Sequence, residues 1–160
     1  MLELAMAEAL VDLDRLGRNI KIVRRRLGGR ARLLFTVKAD AYGHGALPVA
    51  QEAARAGVDW LGAASAAEAL RLREGGIDLP ILVLGLSHRH HLPLLAELGE
   101  LRIALTVDNL EFAEALDRAA ARRGTRLPIH VKLDTGLGRI GLPAEEAPPF
   151  FWELHRLRSL

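Results

Sequence analysis

Short apolar segments alternate with helical segments along most of this 160-residue chain. Five segments read as strands, because they are short, apolar and rich in branched side chains; they cover 33–38, 60–63, 81–84, 103–107 and 129–133. Each of the first four is followed by a stretch with helical spacing. Strands that are apolar without alternation, separated by helices, predict a parallel sheet covered by helices.

The spacing of the strands narrows the fold class. They begin about two dozen residues apart, which fits either a (β/α) barrel or an open doubly wound sheet. A complete eight-fold barrel needs about 250 residues, and this chain supplies five strands, or six if 8–11 forms another. We interpret the chain as an α/β protein with an incomplete (β/α) TIM-type barrel of about five to six βα units. A last helix is expected from about Pro143, and another strand after Leu160.

Local signals predict where the helices begin and end. Asp12 is suited to cap the first helix, which should stop at 28–29, a pair of glycines. Ser65 and Glu68 have the spacing of a capping box. Asp108, with an acidic residue three positions later, predicts the start of another helix. Further glycines stand where helices should stop, at Gly57, Gly99 and Gly124.

Composition excludes several classes of function. The formal net charge is only +2 and cysteine is absent, so we expect neither disulfides nor a thiolate zinc site. Basic residues are mixed with acidic ones, and the run 24–26 with Lys21 reads as the solvent-facing side of a helix, so no nucleic-acid partner is predicted. No apolar run reaches the roughly 18–20 residues of a membrane span, and no secretory signal is recognisable. We expect a cytoplasmic enzyme or binding domain with no membrane partner.

The first chemical feature is the lysine that ends the first predicted strand. Only Lys21, Lys38 and Lys132 are lysines, whereas the other 19 basic residues are arginines. The strand ends at Lys38, and the loop after it holds the only tyrosine of the chain, Tyr42, together with His44. In a parallel barrel, the C-terminal strand ends point into the catalytic mouth. Partial desolvation there lowers the pKa of an amine, whose neutral form can attack an aldehyde; a lysine snorkelling from a strand end is the alternative.

The second feature is a glycine-rich loop after the last predicted strand. It runs from Lys132 through Arg139 to Gly141 and contains the pattern Gly136-x-Gly138-x-x-Gly141. This pattern is formally a dinucleotide fingerprint. Its support would be an acid about 20 residues later at the end of a further strand, but the sequence after Pro143 has helical spacing. A dinucleotide site is therefore the weaker interpretation of this loop.

Both loops resemble the signatures of one enzyme family. The nine residues 37–45 match in order the cofactor-lysine segment of alanine racemases, barrel-fold enzymes that depend on pyridoxal 5'-phosphate (PLP). The loop 132–141 resembles the second signature of these enzymes, at a similar distance from the first. The resemblance runs from about Ala7 to Leu160 and includes the segments 12–14 and 80–85.

The resemblance implies roles for individual residues. Lys38 would form the aldimine with PLP and serve as a catalytic base, and Tyr42 would hydrogen-bond the cofactor phosphate. Arg139, the second catalytic and cofactor-binding residue, would approach the phenolic oxygen and orient the substrate carboxylate. In some members the lysine matching Lys132 is carbamylated to N6-carboxylysine, which would turn a cation facing Arg139 into an anion that holds its guanidinium; an ordinary strand-end lysine is the alternative. No chemical role is assigned to His44, and no metal site is predicted.

The implied activity is the interconversion of L-alanine and D-alanine, which supplies D-alanine for peptidoglycan. Removal of the α-proton leaves a carbanion that the PLP ring stabilises, and racemisation needs a base on each face of it. By the resemblance, the second base comes from the partner subunit of a homodimer. The remaining barrel half and a C-terminal β-domain would lie beyond Leu160. Residues 1–160 are thus expected to form the N-terminal part of a PLP-binding (β/α)8 barrel, incomplete for activity alone.

Two alternatives to alanine racemisation remain open. A racemase for serine or for a broader set of amino acids would share both loops. A non-catalytic PLP-binding barrel protein would normally lack the two loops together. A cluster of histidines, His88, His90 and His91, has no carboxylate at ligand spacing and reads as a solvated helix entrance.

Overall fold

The predicted alternation of strands and helices is present in the computed structural model, which describes residues 9–160. The helices are α1 (Leu13–Leu27), α2 (Lys38–Gly43), α3 (Ala46–Arg55), α4 (Ala66–Glu74), α5 (Leu92–Leu95), α6 (Leu110–Arg123) and α7 (Ala147–Leu154). The strands are β1 (Leu34–Thr36), β2 (Trp60–Ala63), β3 (Ile81–Leu86), β4 (Ile103–Val107), β5 (Ile129–Val131), β6 (Leu133–Asp134) and β7 (Leu142–Pro143). Among these helices, none combines the length and the apolar character needed to cross a bilayer.

The order of the strands distinguishes a barrel from an open doubly wound sheet. The main sheet has the order β1-β2-β3-β4-β5, and every neighbouring pair is parallel. A doubly wound sheet reverses its direction at a switch point, whereas this sheet grows in one direction only. Right-handed crossovers in one direction place the helices on the same face of the sheet. The chain therefore folds as part of a TIM-type barrel, as the sequence predicts.

The two faces of the sheet have different environments. Side chains that face the helices, such as Leu61, Ile81 and Leu105, are completely buried and form the main core. On the opposite face, the rings of Trp60 in β2 and His130 in β5 have centroids 5.7 Å apart. Two strands separate β2 from β5, which would put them about 14 Å apart in a flat sheet. The sheet therefore curves, and this face is its concave side.

Gly62, on the concave side of the sheet, leaves space for larger side chains from the two flanking strands. A Cβ at Gly62 would lie 2.9 Å from Leu34 Cδ2 and 3.0 Å from Leu84 Cδ1, on the two flanking strands. Such distances are shorter than ordinary van der Waals contact, so the two leucines close over the position because it has no side chain. The concave side is thus packed from alternate strands, as in the interior of a TIM barrel.

The strand boundaries differ from the predicted ones at three places. β1 ends at Thr36 rather than at residue 38, because the backbone turns sharply after Val37. β3 continues to Leu86, with a register shift against β4 between Val83 and Leu86. The last predicted strand divides into β5 and β6, which belong to different sheets.

The helix signals are confirmed at most positions. The Asp12 side chain accepts a hydrogen bond from Arg15 N at 2.8 Å, and Gly28 ends α1 in the left-handed conformation. The prediction of Asp108 as a cap is wrong: Asn109 caps α6 and accepts from Phe112 N at 2.9 Å. Both side chains are good caps, and the backbone path out of β4 gives the position to Asn109.

The chain ends of the described region also differ from expectation. Residues 9–11 form no strand, and Glu8, the first residue of that predicted strand, lies outside the described residues. Pro143 belongs to β7, and the last helix begins at Ala147 after a 3₁₀ turn over Ala144–Glu146. Two prolines follow in the first turn of α7, where the missing N–H is tolerated.

An ion pair between α1 and the start of β2 makes stability depend on pH. Asp59 accepts two hydrogen bonds from Arg24, at 2.6 and 2.7 Å, and one from Leu33 N. The Arg24 guanidinium, followed by the Leu33 N–H, lowers the pKa of Asp59 to about 2 from its ordinary 3.8. A lowered pKa in the folded state contributes stability that is present above pH 4 and is lost as pH falls towards 2.

We therefore expect Asp59→Asn to be less stable than the parent at pH 6, with a difference that narrows between pH 4 and pH 2. The free energy of unfolding from urea titrations at several pH values measures this. Glu100→Gln, at an exposed position, is the control for removing one carboxylate. A stability difference that stays constant across that pH range would contradict the assignment.

Candidate active site

Lys38 lies two residues after the C-terminal end of β1, at the sheet edge where the sequence predicts it. The Val37 N–H donates to Gly62 O at 2.8 Å, so pairing with β2 continues to the residue before the lysine. Val37 is 2% exposed, whereas Lys38 is half-buried. A buried backbone anchor directly before Lys38 fixes the origin of its side chain and leaves the amine accessible.

The turn after Lys38 is left-handed. Ala39, Asp40, Ala41 and Tyr42 have φ between 50° and 56°, a conformation that costs a non-glycine residue roughly 1–2 kcal/mol. Its backbone bonds run from Ala41 N to Val37 O at 2.9 Å and from Gly45 N to Asp40 O at 3.0 Å. Such strain persists only where the surroundings enforce it, and it is concentrated at functional sites.

Lys38, Lys132 and Arg139 line one cleft at the C-terminal ends of the strands. The cleft has a volume of about 510 Å³, within the range of small-molecule sites. Its remaining lining is mostly apolar, with Leu82, Leu84, Gly85, Leu86, Thr106, His130, Val131, Ala64 and Ile140. None of these described lining residues is acidic. Three cations on apolar walls favour an anionic ligand.

Tyr42 lies beside Lys38 but does not line that cleft. Its ring centroid is 5.8 Å from Lys38 Nζ, and the side chain is 60% exposed. It lines a neighbouring cleft of about 660 Å³, between the left-handed turn, β1 and α1. The structure thus places Lys38 beside Tyr42 and in the same cleft as Arg139.

His44 contributes to the shape of the turn. Its Nδ1 lies 2.8 Å from Ala41 O, within the same loop, and its ring also lines the cleft with Tyr42.

The loop that carries Arg139 is shaped by Asp134. One carboxylate oxygen of Asp134 accepts from Gly138 N at 3.1 Å and from Gly136 N at 3.0 Å. These two backbone N–H groups lower the pKa of Asp134. Pairing of β6 with β7 then closes the loop, through Leu133 opposite Leu142. Because the glycine-rich loop returns to a strand and does not open a helix, the geometry argues against a dinucleotide site.

Thr106 is a cleft residue that the sequence reading missed. It is 4% exposed, and its hydroxyl donates to Val83 O at 2.7 Å. The register of β3 against β4 shifts just after Val83, so the hydroxyl satisfies a carbonyl next to this irregularity. The only signal in the sequence was one hydroxyl within an otherwise apolar strand. His130 was also missed, because it is a single polar residue near the start of the predicted strand 129–133.

We expect Thr106→Val to destabilise the protein by about 0.5–1.5 kcal/mol, because it removes the hydrogen bond from the Thr106 hydroxyl to Val83 O. Thermal or urea unfolding measures the loss. Thr135→Val, at an exposed position of the Arg139 loop, is the matched control and should be close to neutral. Equal stabilities of Thr106→Val and the parent would show that the hydroxyl is not needed at the register shift between β3 and β4.

Fold and site together define a class of protein: a TIM-type barrel with an accessible lysine amine in a cation-lined cleft at the C-terminal strand ends. The family described as "Alanine racemase, N-terminal domain" matches residues 11–160. The chain belongs to this family.

Individual relatives agree with the family assignment. The alanine racemase of Symbiobacterium thermophilum is 44% identical over 149 residues, which cover 93% of this chain and 38% of that protein. Among solved structures, alanine racemase of Clostridium difficile 630 in complex with cycloserine has a TM-score of 0.81 at 35% identity, over 91% of this chain and 39% of that one.

The chain is also similar to a racemase that is named for another amino acid. The histidine racemase of Leuconostoc mesenteroides also has a TM-score of 0.81, at 29% identity, over 92% of this chain and 39% of that one. The chain spans about two fifths of the length of each of these relatives.

Proposed function

We propose that this protein is a PLP-dependent amino-acid racemase that interconverts L-alanine and D-alanine. The observation that carries the proposal is the cleft shared by the Lys38 amine, Arg139 and Lys132. Family membership supports the reaction class, since the curated relatives are named alanine racemases. The residues described here would form the N-terminal part of the PLP-binding barrel.

The donor set of the cleft fits PLP. The cofactor carries an aldehyde, a phenolic oxygen and a phosphate, and the cleft offers an amine and two further cations on apolar walls. Within this cleft, Lys38 would hold the aldehyde carbon and Arg139 the phenolic oxygen. By the resemblance, Tyr42 in the neighbouring cleft, with its ring centroid 5.8 Å from Lys38 Nζ, would bind the phosphate. When bound, PLP supplies an electron-poor ring that withdraws electrons from the substrate α-carbon.

Each of the cleft residues of this chain would then have a separate role. The Lys38 amine, released from the cofactor, would accept or return the proton at the α-carbon from one face. The Arg139 guanidinium would orient the substrate carboxylate by a forked hydrogen bond. Leu82 and Leu84 would keep water from this part of the cleft. By the family resemblance, a partner subunit supplies the base for the opposite face, so residues 1–160 alone should turn over slowly or not at all.

Lys132 is proposed to be carbamylated in the folded protein. It shares the cleft with Arg139, and a carbamate would give the guanidinium an anionic partner. Carbon-13 NMR after growth with labelled bicarbonate should show a carbamate signal that Lys132→Arg removes. A spectrum without that signal would leave Lys132 as an ordinary strand-end lysine.

Other parts of the proposal depend on the resemblance alone. They are a homodimer and D-alanine supply for peptidoglycan, whereas a cytoplasmic location is proposed from the composition of the chain. The choice of amino acid is the least constrained part, since an alanine racemase and a histidine racemase match this chain with the same TM-score. A racemase of serine or of several amino acids is therefore the second candidate.

The proposal is tested on the complete protein with added PLP. Borohydride reduction should leave a pyridoxyl group on Lys38, detected by peptide mass spectrometry. L-alanine in deuterated water should then lose its α-hydrogen and yield D-alanine, whereas serine and histidine should react more slowly. Labelling at Lys38 without hydrogen exchange would indicate a non-catalytic PLP protein. Absence of labelling would refute the proposed function.

A further inference from the structure

We infer that Glu68 is a positioning residue for Lys38, an inference that rests on the proposed function. Glu68 lies in the first turn of α4, outside both signature loops. Its carboxylate accepts from Ala39 N at 3.1 Å through one oxygen and from Ala64 N at 2.7 Å through the other. It therefore joins the residue after the lysine to the residue after β2.

The Ala39 amide is the crucial partner. It belongs to the peptide bond that leaves Lys38, and it is the first amide of the left-handed turn. A hydrogen bond from this amide to a carboxylate is charge-assisted and so comparatively strong. By holding that peptide plane, Glu68 fixes the backbone orientation from which the Lys38 side chain enters the cleft.

A second carboxylate holds the other end of the same turn. Asp40 Oδ1 accepts from Ala46 N at 2.6 Å, at the start of α3. Glu68 thus binds the first amide of the left-handed turn, at Ala39, and Asp40 connects the turn to Ala46 at the start of α3. Asp40 belongs to the signature loop itself, whereas Glu68 reaches it from a residue 29 positions away.

The Glu68 carboxylate bonds to backbone amides outside the capping box of α4. The capping box predicts that Ser65 and Glu68 bond reciprocally. Ser65 Oγ does accept from Glu68 N, at 3.3 Å. The Glu68 carboxylate, however, bonds Ala64 and Ala39 instead of the Ser65 amide. The N-terminus of α4 also favours its negative charge at this position.

The test compares Glu68→Ala with the parent in the complete protein. We expect Glu68→Ala to weaken PLP binding, measured by titration, by about ten- to a hundredfold, as for a misplaced reacting group. After borohydride reduction, the share of pyridoxyl label on Lys38 relative to Lys21 should fall. Hydrogen exchange at the Ala39 amide should become faster. Glu68→Gln keeps one acceptor oxygen for the Ala39 amide but places its amide nitrogen against the Ala64 N–H, so it should recover only part of the binding.

Ser65→Ala is the matched control. It removes the cap of the same helix without removing an acceptor from Ala39, so it should lower the melting temperature and leave labelling of Lys38 intact. If Glu68→Ala retains parental PLP affinity and Lys38 labelling, the inference is wrong, while the proposed function stands. If the parent itself shows no label on Lys38, the proposed function fails first. Loss of binding in Ser65→Ala equal to that in Glu68→Ala would also overturn the inference, because the effect would then come from α4 as a whole.

Discussion

Lys38→Arg should abolish covalent attachment of PLP and lower racemase turnover of the complete protein by about a thousandfold or more. Arginine keeps the positive charge in the cleft, but it is not deprotonated at any useful pH and cannot attack the aldehyde. The same change removes the base proposed for one face of the substrate. Absorbance of bound PLP, borohydride labelling and D-alanine formation measure the three consequences.

The control for this prediction is Lys21→Arg. Lys21 is exposed on α1, so its replacement should leave labelling and turnover unchanged. The backbone before Lys38 is buried and paired with β2, and therefore the Lys38→Arg protein should keep parental stability. Substantial turnover in Lys38→Arg would contradict the role proposed for the amine.

Arg139→Leu should lower turnover by about 10²–10³-fold while leaving the label on Lys38 in place. The guanidinium is proposed to hold the substrate carboxylate and the phenolic oxygen of PLP, and loss of one such electrostatic contact costs this order of rate. Attachment of PLP requires the Lys38 amine instead. Steady-state kinetics with L-alanine, together with borohydride labelling, separate the two effects.

Two further variants test whether the effect of Arg139→Leu comes from the loss of the guanidinium. Arg139→Lys retains the charge but loses the forked geometry, so its turnover should lie between those of the parent and Arg139→Leu. Arg122→Leu, at an exposed position of α6, should have parental kinetics. Parental kinetics in Arg139→Leu would remove this residue from the proposed mechanism.

The strand–helix alternation could be predicted from sequence because each signal is local. Apolar runs of four to six residues identify strands, and Asp12 or Ser65 identifies a helix start from the residues next to it. The prediction that Asp108 starts α6 was wrong, because the cap is the next residue, Asn109. The two side chains are adjacent and equally suitable, and the path of the backbone out of β4 decides between them.

Sequence motifs identified the residues of the candidate site, but they did not predict how these residues are arranged in space. Lys38 and Arg139 are about a hundred residues apart in sequence and share one cleft. Tyr42, although only four residues from Lys38, lines a different cleft, and the turn between them is left-handed. No propensity predicts four consecutive non-glycine residues in that conformation, since each is unfavourable alone.

By itself, the sequence determined the parallel β/α class, the two glycine-containing loops and the lysine at the first strand end. These features depend on neighbours within a few positions along the chain. Only the tertiary structure decided the curvature that brings Trp60 to His130, the hydrogen bond from Thr106 to Val83 and the reach of Glu68 to the Ala39 amide. Each of these joins segments more than 20 residues apart, and such contacts are set by the order and packing of the strands.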